Sequence, residues 1–406
     1  MDHPSELFEK EKSLLNRRRF LSVSSRGALT ALAAERFCSG SVLASESAAA
    51  SPSRRLKYVG WQVGLTYQTK TPGGLTRDDM MRLLDDMARN RMNFLSLQML
   101  SFGHFDPKHD GYCWPVANEK MRPLWDSKAI NGRPETEYLR EVIEEAAERG
   151  IEIQLFMNWG IWNPEKVRIG YPDAGVLERR PLPDKPRRRR PWFYCADTPG
   201  AWQLGLDEVK DLVTYYSHPN VVSYGFENLC SHDCFCPATQ AKYRREKGKS
   251  LLEATKQERD EWSKDRVSRL LKKYVEYIHG IRPKLQMWLH TRCTIDQGHD
   301  EKRLRKCGFD YLLPHTFHFP ISKQKFFRML RHMEPNECVL HFSARDIRPT
   351  NYPLWIQTPE SIAEKVDWVL DYPGKNLAGI LFYNPNAMSK KNVRAVYEQI
   401  KRFEWS

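Results

Sequence analysis

The sequence predicts an α/β fold of the (β/α)8, or TIM, barrel class, as a single domain with long loops after strands 2, 3 and 4. Three observations predict it. Short apolar runs of strand length alternate with amphipathic helical segments, the pattern of a parallel sheet covered by helices. Those runs number eight, the count that closes a barrel. The connections after the second, third and fourth runs are long (about 100–134, 158–200 and 228–258), and loops following strands build the working face of such a barrel. An open doubly wound sheet is the alternative reading of the same alternation.

The strand candidates, in order, are 61–67, 93–99, 151–158, 221–227, 285–290, 309–314, 338–342 and 378–383. Each is a short run of apolar and β-branched or aromatic residues, consistent with a strand buried on both faces. The helical candidates between and after them are 77–89, 135–149, 201–217, 259–279, 301–306, 323–332, 359–370 and 390–403. Thr76 with Asp78 and Asp79, and Thr358-Pro359-Glu360, supply a capping hydroxyl and early acids to the helices they precede. There is no internal repeat beyond this rhythm. A content of 41% hydrophobic residues excludes a disordered polymer. Twelve Trp and seventeen Tyr serve either core packing or exposed stacking surfaces.

Residues 1–50 stand apart. Asn16-Arg17-Arg18-Arg19-Phe20-Leu21 precedes a modestly apolar stretch from Gly27 to Ala34, interrupted by Glu35 and Arg36, and then small residues to Ala50. This arrangement resembles a twin-arginine export signal and linker, leaving 51–406 as the barrel catalytic domain in the periplasm or outside the cell. A basic amphipathic start that stays on the protein is the other reading. No later run reaches the roughly 20 apolar residues of a membrane span, so no membrane association is expected after signal removal. The net charge of +13 belongs to the folded body, because the first fifty residues hold nearly as many acids as bases. It favours anionic partners without naming a reaction. Phosphate-binding glycine loops, Gly-x-Ser-x-Gly elbows and nucleic-acid motifs are absent. The nine cysteines are scattered except for Cys230, Cys234 and Cys236. Export of an already folded chain argues against a disulfide framework and allows a preloaded metal.

The densest constellation runs from Tyr224-Gly-Phe-Glu227-Asn228 through Cys230, His232, Cys234-Phe235-Cys236 to Tyr243-Arg244. Glu227 closes the fourth strand, where a partly buried carboxyl can act as a general acid/base. Cys230, His232, Cys234 and Cys236 are ligand types of a tetrahedral zinc site. Free or disulfide-bonded cysteines are the alternative. Over about twenty residues this run resembles the retaining (β/α)8 glycosidase clan, and most of all its β-galactosidase family with a cysteine zinc cluster. There the acid/base glutamate is followed three residues on by a cysteine, then by Cys-Tyr-Cys-x-x-Cys and an aromatic-arginine pair. Here the third cysteine of that cluster falls at Thr239, the spacing is one residue shorter, and Asn228 follows the glutamate instead of preceding it.

The resemblance implies an exported glycosidase acting on an oligo- or polysaccharide, with Glu227 as acid/base. It also implies a structural zinc at most, with no cofactor required for catalysis. It places the nucleophile at the end of the seventh strand. That strand reads Cys-Val-Leu-His-Phe-Ser-Ala-Arg-Asp and offers Asp346 as its nearest acid. Asp197, after the third strand, is another partner, or alternatively a helix cap. His290, His315 and His341 lie at or near the ends of successive strands, with His104 and His318 in neighbouring loops. They serve sugar hydroxyls, a catalytic metal shared with Glu227, or packing. Tyr67, Trp159, Trp162, Trp288, Phe317 and Tyr383 gather at strand ends as stacking surfaces. Asn158, Asn228 and Asn384 supply directional hydrogen bonds. Arg187–Arg190 suits an anionic glycan. A carbohydrate-binding barrel without catalysis, and a metal-dependent barrel enzyme built on the three histidines, are the competing functions.

Overall fold

The structure, a computed structural model, describes residues 54–66, 69, 72–101, 110–159, 163–180, 189–227, 234–291, 300–314, 322–334, 336–346 and 356–405. Eight strands close into a barrel in chain order. They are β1 Tyr58–Gly64, β2 Phe94–Gln98, β3 Glu152–Asn158, β4 Val221–Glu227, β5 Gln286–Thr291, β6 Tyr311–Pro314, β7 Cys338–Ser343 and β8 Leu377–Tyr383. Every neighbouring pair is parallel, and β8 returns to β1 with Gly379 opposite Tyr58. The expected barrel is therefore the fold, and the open sheet is excluded.

The surrounding helices are α1 Arg77–Arg89, α2 Leu139–Glu148, α3 Pro199–Tyr215, α4 Lys256–Ile281, α5 Glu301–Leu304, α6 Lys323–Met333, α7 Pro359–Asp371 and α8 Lys390–Ile400. Thr76 and Thr358 are the N-caps their sequence context predicts, and each also closes a reciprocal capping box, with Asp79 and Ser361. Among the described residues, no helix is long and apolar enough to cross a membrane.

Several boundaries differ from expectation, among them the start of α4 at Lys256, which the capping box of Thr255 and Glu258 sets, and three more have local reasons. β1 begins at Tyr58 and ends at Gly64, three residues earlier than 61–67, because pairing with β8 starts at Tyr58 and pairing with β2 ends at Gly64. α2 begins at Leu139 because the Asn131 side-chain carbonyl accepts from the N–H groups of Tyr138 and Leu139 at 3.2 and 3.1 Å. α8 stops at Ile400, and the chain then runs as Phe403–Trp405 parallel to Arg54–Leu56.

Inward-facing side chains form two layers. Tyr58, Phe94, Trp288, Tyr311, Leu313, Val339 and Leu381 make an apolar plug. Phe94 stacks on Trp288 with 4.6 Å between centroids, and Tyr58 packs on both rings. Trp288 is fully buried in this plug and is not a stacking surface for ligand, which corrects that expectation. Further toward the strand ends the interior becomes polar. Ser96 donates to Gln154 at 2.8 Å, and Gln154 donates to Ser223 at 3.3 Å. That layer is the floor of the mouth.

The long loops carry their own structure. The loop after β2 pairs Leu100–Ser101 with Gly111–Tyr112, and the loop after β3 holds a helix at Pro164–Gly170 and pairs Val176–Glu178 with Arg189–Tyr194. The loop after β4 adds a helix at Pro237–Lys247, closed by Gly248 in the left-handed region.

Candidate active site

Glu227 ends β4 opposite Asn158, the last residue of β3. Asn158 Nδ2 donates to Glu227 Oε1, and Glu227 Oε2 lies 3.4 Å from His290 Nδ1 on β5. The Glu227 backbone carbonyl accepts from the Trp159 N–H at 2.8 Å. Its carboxylate keeps 19% of its side-chain surface exposed while His290 keeps 3%, so the acid reaches solvent and its neighbours close around it.

The arrangement continues around the mouth. Gln98 on β2 donates to Asn158 Oδ1 at 3.0 Å, and Tyr383 on β8 donates to Gln98 Oε1 at 3.5 Å. On the other side His290 meets His341 of β7 edge-on at 5.0 Å between centroids, and His341 meets Tyr383 at 5.4 Å. Phe156 supports His290 at 4.5 Å, and the buried Arg345 guanidinium sits 4.9 Å over the Tyr383 ring. Among the described residues, side chains from six strands thus make one closed ring containing a single carboxylate. Such a group can hold a proton or give one up at a fixed place, which is what acid/base chemistry needs.

Four expected site residues belong elsewhere. Asp197 is buried, and its carboxylate is taken by Arg266, by Lys242 at 3.0 Å and by the Thr239 hydroxyl at 2.7 Å. Burial alone would push this carboxyl up, but the two cations and the hydroxyl outweigh it and hold it below the ordinary 3.8. It does not cap α3 either, whose N-cap Thr198 makes no side-chain cap bond. Asp346 accepts from both the N–H and the hydroxyl of Ser389, anchoring the start of α8. Trp159 is buried against Trp202, Tyr274 and Gly205, so its ring is a wedge behind the barrel wall and not a sugar platform. Asn384 is fully buried, and its side-chain oxygen accepts from the Asn386 N–H in the turn that follows β8.

Of the other expectations, Asn158, Tyr383, His290 and His341 do meet at the mouth, in the ring just described. Tyr67, Trp162, Asn228, Cys230, His232, His104, His315, Phe317 and His318 lie outside the described residues, as do the side chains of Arg187–Arg190. Gln98 was missed as a ring member. The signal that finds it is polar residues at alternate positions of apolar strands (Ser96, Gln98; Gln154, Asn158; Ser223).

Behind the mouth, Cys195 joins Cys234 and Cys236, all buried, with their sulfurs within 4.8 Å of one another. Among the described residues this is the one group of His, Cys, Asp or Glu side chains close enough to share a metal ion. Cys195 was not expected, since it sits 39 residues before Cys234 in sequence, on the loop after β3. The Thr239 oxygen lies 3.2 and 3.3 Å from the Cys195 and Cys236 sulfurs. Because its proton goes to Asp197, it turns lone pairs toward them. Three sulfurs this close, with the Thr239 oxygen beside two of them, suit a soft metal ion. No disulfide joins two of the described cysteines.

In fold, the chain is similar to several glycoside hydrolases of known structure. The chain is similar to the glycoside hydrolase domain of PgaB (BpsB) from Bordetella bronchiseptica, with a TM-score of 0.61 at 12% identity over 85% of this chain and 97% of that one. It is similar also to a β-galactosidase from the psychrophilic Marinomonas ef1, with a TM-score of 0.58 at 9% identity over 85% of this chain and 59% of that one. A β-galactosidase from Bacillus circulans sp. alkalophilus gives 0.58 at 11% identity over 86% and 56%. The chain spans less than two thirds of the two β-galactosidases. At these identities the likeness is one of fold. No family model and no curated protein matches the sequence.

Proposed function

We propose that the chain is an exported glycoside hydrolase of an oligo- or polysaccharide, in which Glu227 is the general acid/base. The observation that carries this reading is the single half-exposed carboxylate at the end of β4, held by Asn158 and bordered by His290. The glycosidase fold of the neighbours supports it. A protonated Glu227 would protonate the departing glycosidic oxygen and, once ionised, take the proton of the attacking water. Tyr383 is the half-exposed aromatic beside it and would supply a stacking face. The basic body and the arginine run Arg187–Arg190 favour an anionic glycan. Screening wild type and Glu227→Gln on a glycan panel tests the assignment. The variant should lose on the order of 10²–10⁴-fold in kcat, and undiminished turnover would overturn it.

A second reading has its own support. Asp346 and Asp197 are both committed elsewhere, so neither expected partner carboxylate faces Glu227. A carbohydrate-binding barrel without turnover fits that arrangement, and saturable glycan binding with no product from any panel member would select it.

We also propose that Cys195, Cys234 and Cys236 hold a structural zinc. Zn–S bonds of about 2.3 Å put sulfurs roughly 3.7 Å apart in a tetrahedron, compatible with the 4.8 Å limit observed. Three thiolates on a divalent ion leave one negative charge, Asp197 adds another, and Lys242 and Arg266 supply two positive charges beside them. Bound there, the ion would supply a crosslink between the loops after β3 and β4 and take no part in the reaction. Elemental analysis should find about one zinc per chain, lost together with thermal stability in Cys195→Ser. Protein free of zinc as isolated would remove the proposal.

A further inference from the structure

The hydrogen bonds around the mouth have a direction. Each primary amide has one donating and one accepting end. Tyr383 donates to the Gln98 oxygen, which turns the Gln98 NH2 to the Asn158 oxygen, which turns the Asn158 NH2 to Glu227 Oε1. Flipping one amide alone would set two NH2 groups or two carbonyls face to face. Flipping both would press the Asn158 carbonyl against the carboxylate. With Glu227 ionised, one polarity of the chain is favourable, and it ends on Oε1.

Resting on the reading of Glu227 as acid/base, we propose that its two oxygens have different tasks, with Oε1 a fixed acceptor and Oε2 the oxygen that carries the proton, and that Asn158 is the positioning residue that enforces this. A proton on Oε1 would point at an N–H that has no lone pair to receive it. Oε2 instead lies 3.4 Å from His290 Nδ1, a ring nitrogen that in the neutral imidazole can accept a proton as well as donate one. In the acid step the Oε2–H bond breaks and its proton goes to the glycosidic oxygen, which keeps the electron pair of the broken C–O bond. The charge left on the carboxylate is met at Oε1 by the Asn158 N–H. When water completes the hydrolysis, one of its protons returns to Oε2. Among the described residues, the titratable and charged groups around this carboxylate are His290 from β5, then His341 from β7, Tyr383 from β8 and Arg345 over the Tyr383 ring. Phe156 from β3 packs on His290 as well.

The donor from Asn158 stabilises the ionised form, so removing it must move Glu227's titration upward. The full-length protein labelled with 13C-carboxyl glutamate, with the Glu227 resonance identified by its absence in Glu227→Gln, reads this without any substrate. Asn158→Leu should raise the titration midpoint by about one pH unit, the size of a hydrogen bond to a charged group. Tyr383→Phe removes only the head of the chain and should raise it by less, in the same direction. An unmoved midpoint in folded Asn158→Leu overturns the proposal. Should that variant fail to fold, an unmoved midpoint in Tyr383→Phe overturns it. The hydrolase reading fails separately, if Glu227→Gln keeps its turnover while the midpoint shifts as expected.

Discussion

Burial pushes the Glu208 carboxyl up to about 8, and the Tyr112 hydroxyl donating to it at 3.2 Å recovers only part of the lost hydration. The unfolded chain releases this proton near the ordinary 4.5. Between those two values the unfolded state binds fewer protons than the folded one, so stability falls as pH rises through that window and levels off above it. Glu208→Gln should therefore gain stability over wild type progressively from about pH 5 to pH 8. Urea melts at both ends of that range check the sign. A sequence shows Glu208 as one more acid on an amphipathic helix; its enclosure follows from how α3 meets the barrel. Asp197 teaches the same lesson with the opposite outcome, because Arg266 lies far along the chain and only the fold brings its charge to the carboxylate.

At the scale of elements, α3 and the end of β3 are fitted to each other through Gly205. A methyl group there would lie 1.9 Å from the Trp159 ring. Gly205→Ala should displace that ring and cost about 1–3 kcal/mol, with the Trp159 N–H to Glu227 carbonyl bond loosened in consequence. Chemical denaturation measures the loss, and tryptophan emission reports the ring's exposure. Periodicity makes α1 and β4 readable to the residue, since both carry their own boundary signals: Thr76 with its acids, and an apolar run closed by Glu227. α2 is less readable, because its cap comes from Asn131, outside the first turn and beyond any capping-box spacing. The short strands and helices inside the long loops are likewise set by contacts that leave no periodic trace.

For the whole molecule, the parallel pair Arg54–Leu56 and Phe403–Trp405 ties the segment before β1 to the segment after α8. Deleting residues 402–406 should lower Tm by about 1–2 °C, as expected for losing about 1 kcal/mol in a chain of this size. A melt unchanged by the deletion would show that barrel closure alone secures the two ends.

The sequence by itself determined the barrel, its order, the side on which the long loops fall and the position of Glu227 at a strand end. These follow from local rules: alternating periods, an apolar run's length, and the outward face of a strand's last residue. Tertiary structure alone decided which residues share that mouth. Closure brings β8 back to β1 and β2, so Tyr383 meets Gln98 across 285 residues of chain. The same folding carries Cys195 to Cys234 and Cys236, and it commits Asp197 and Asp346 to charges and caps away from Glu227. Contacts between distant segments depend on strand register and side-chain direction together, and neither is written in the spacing of residues along one segment.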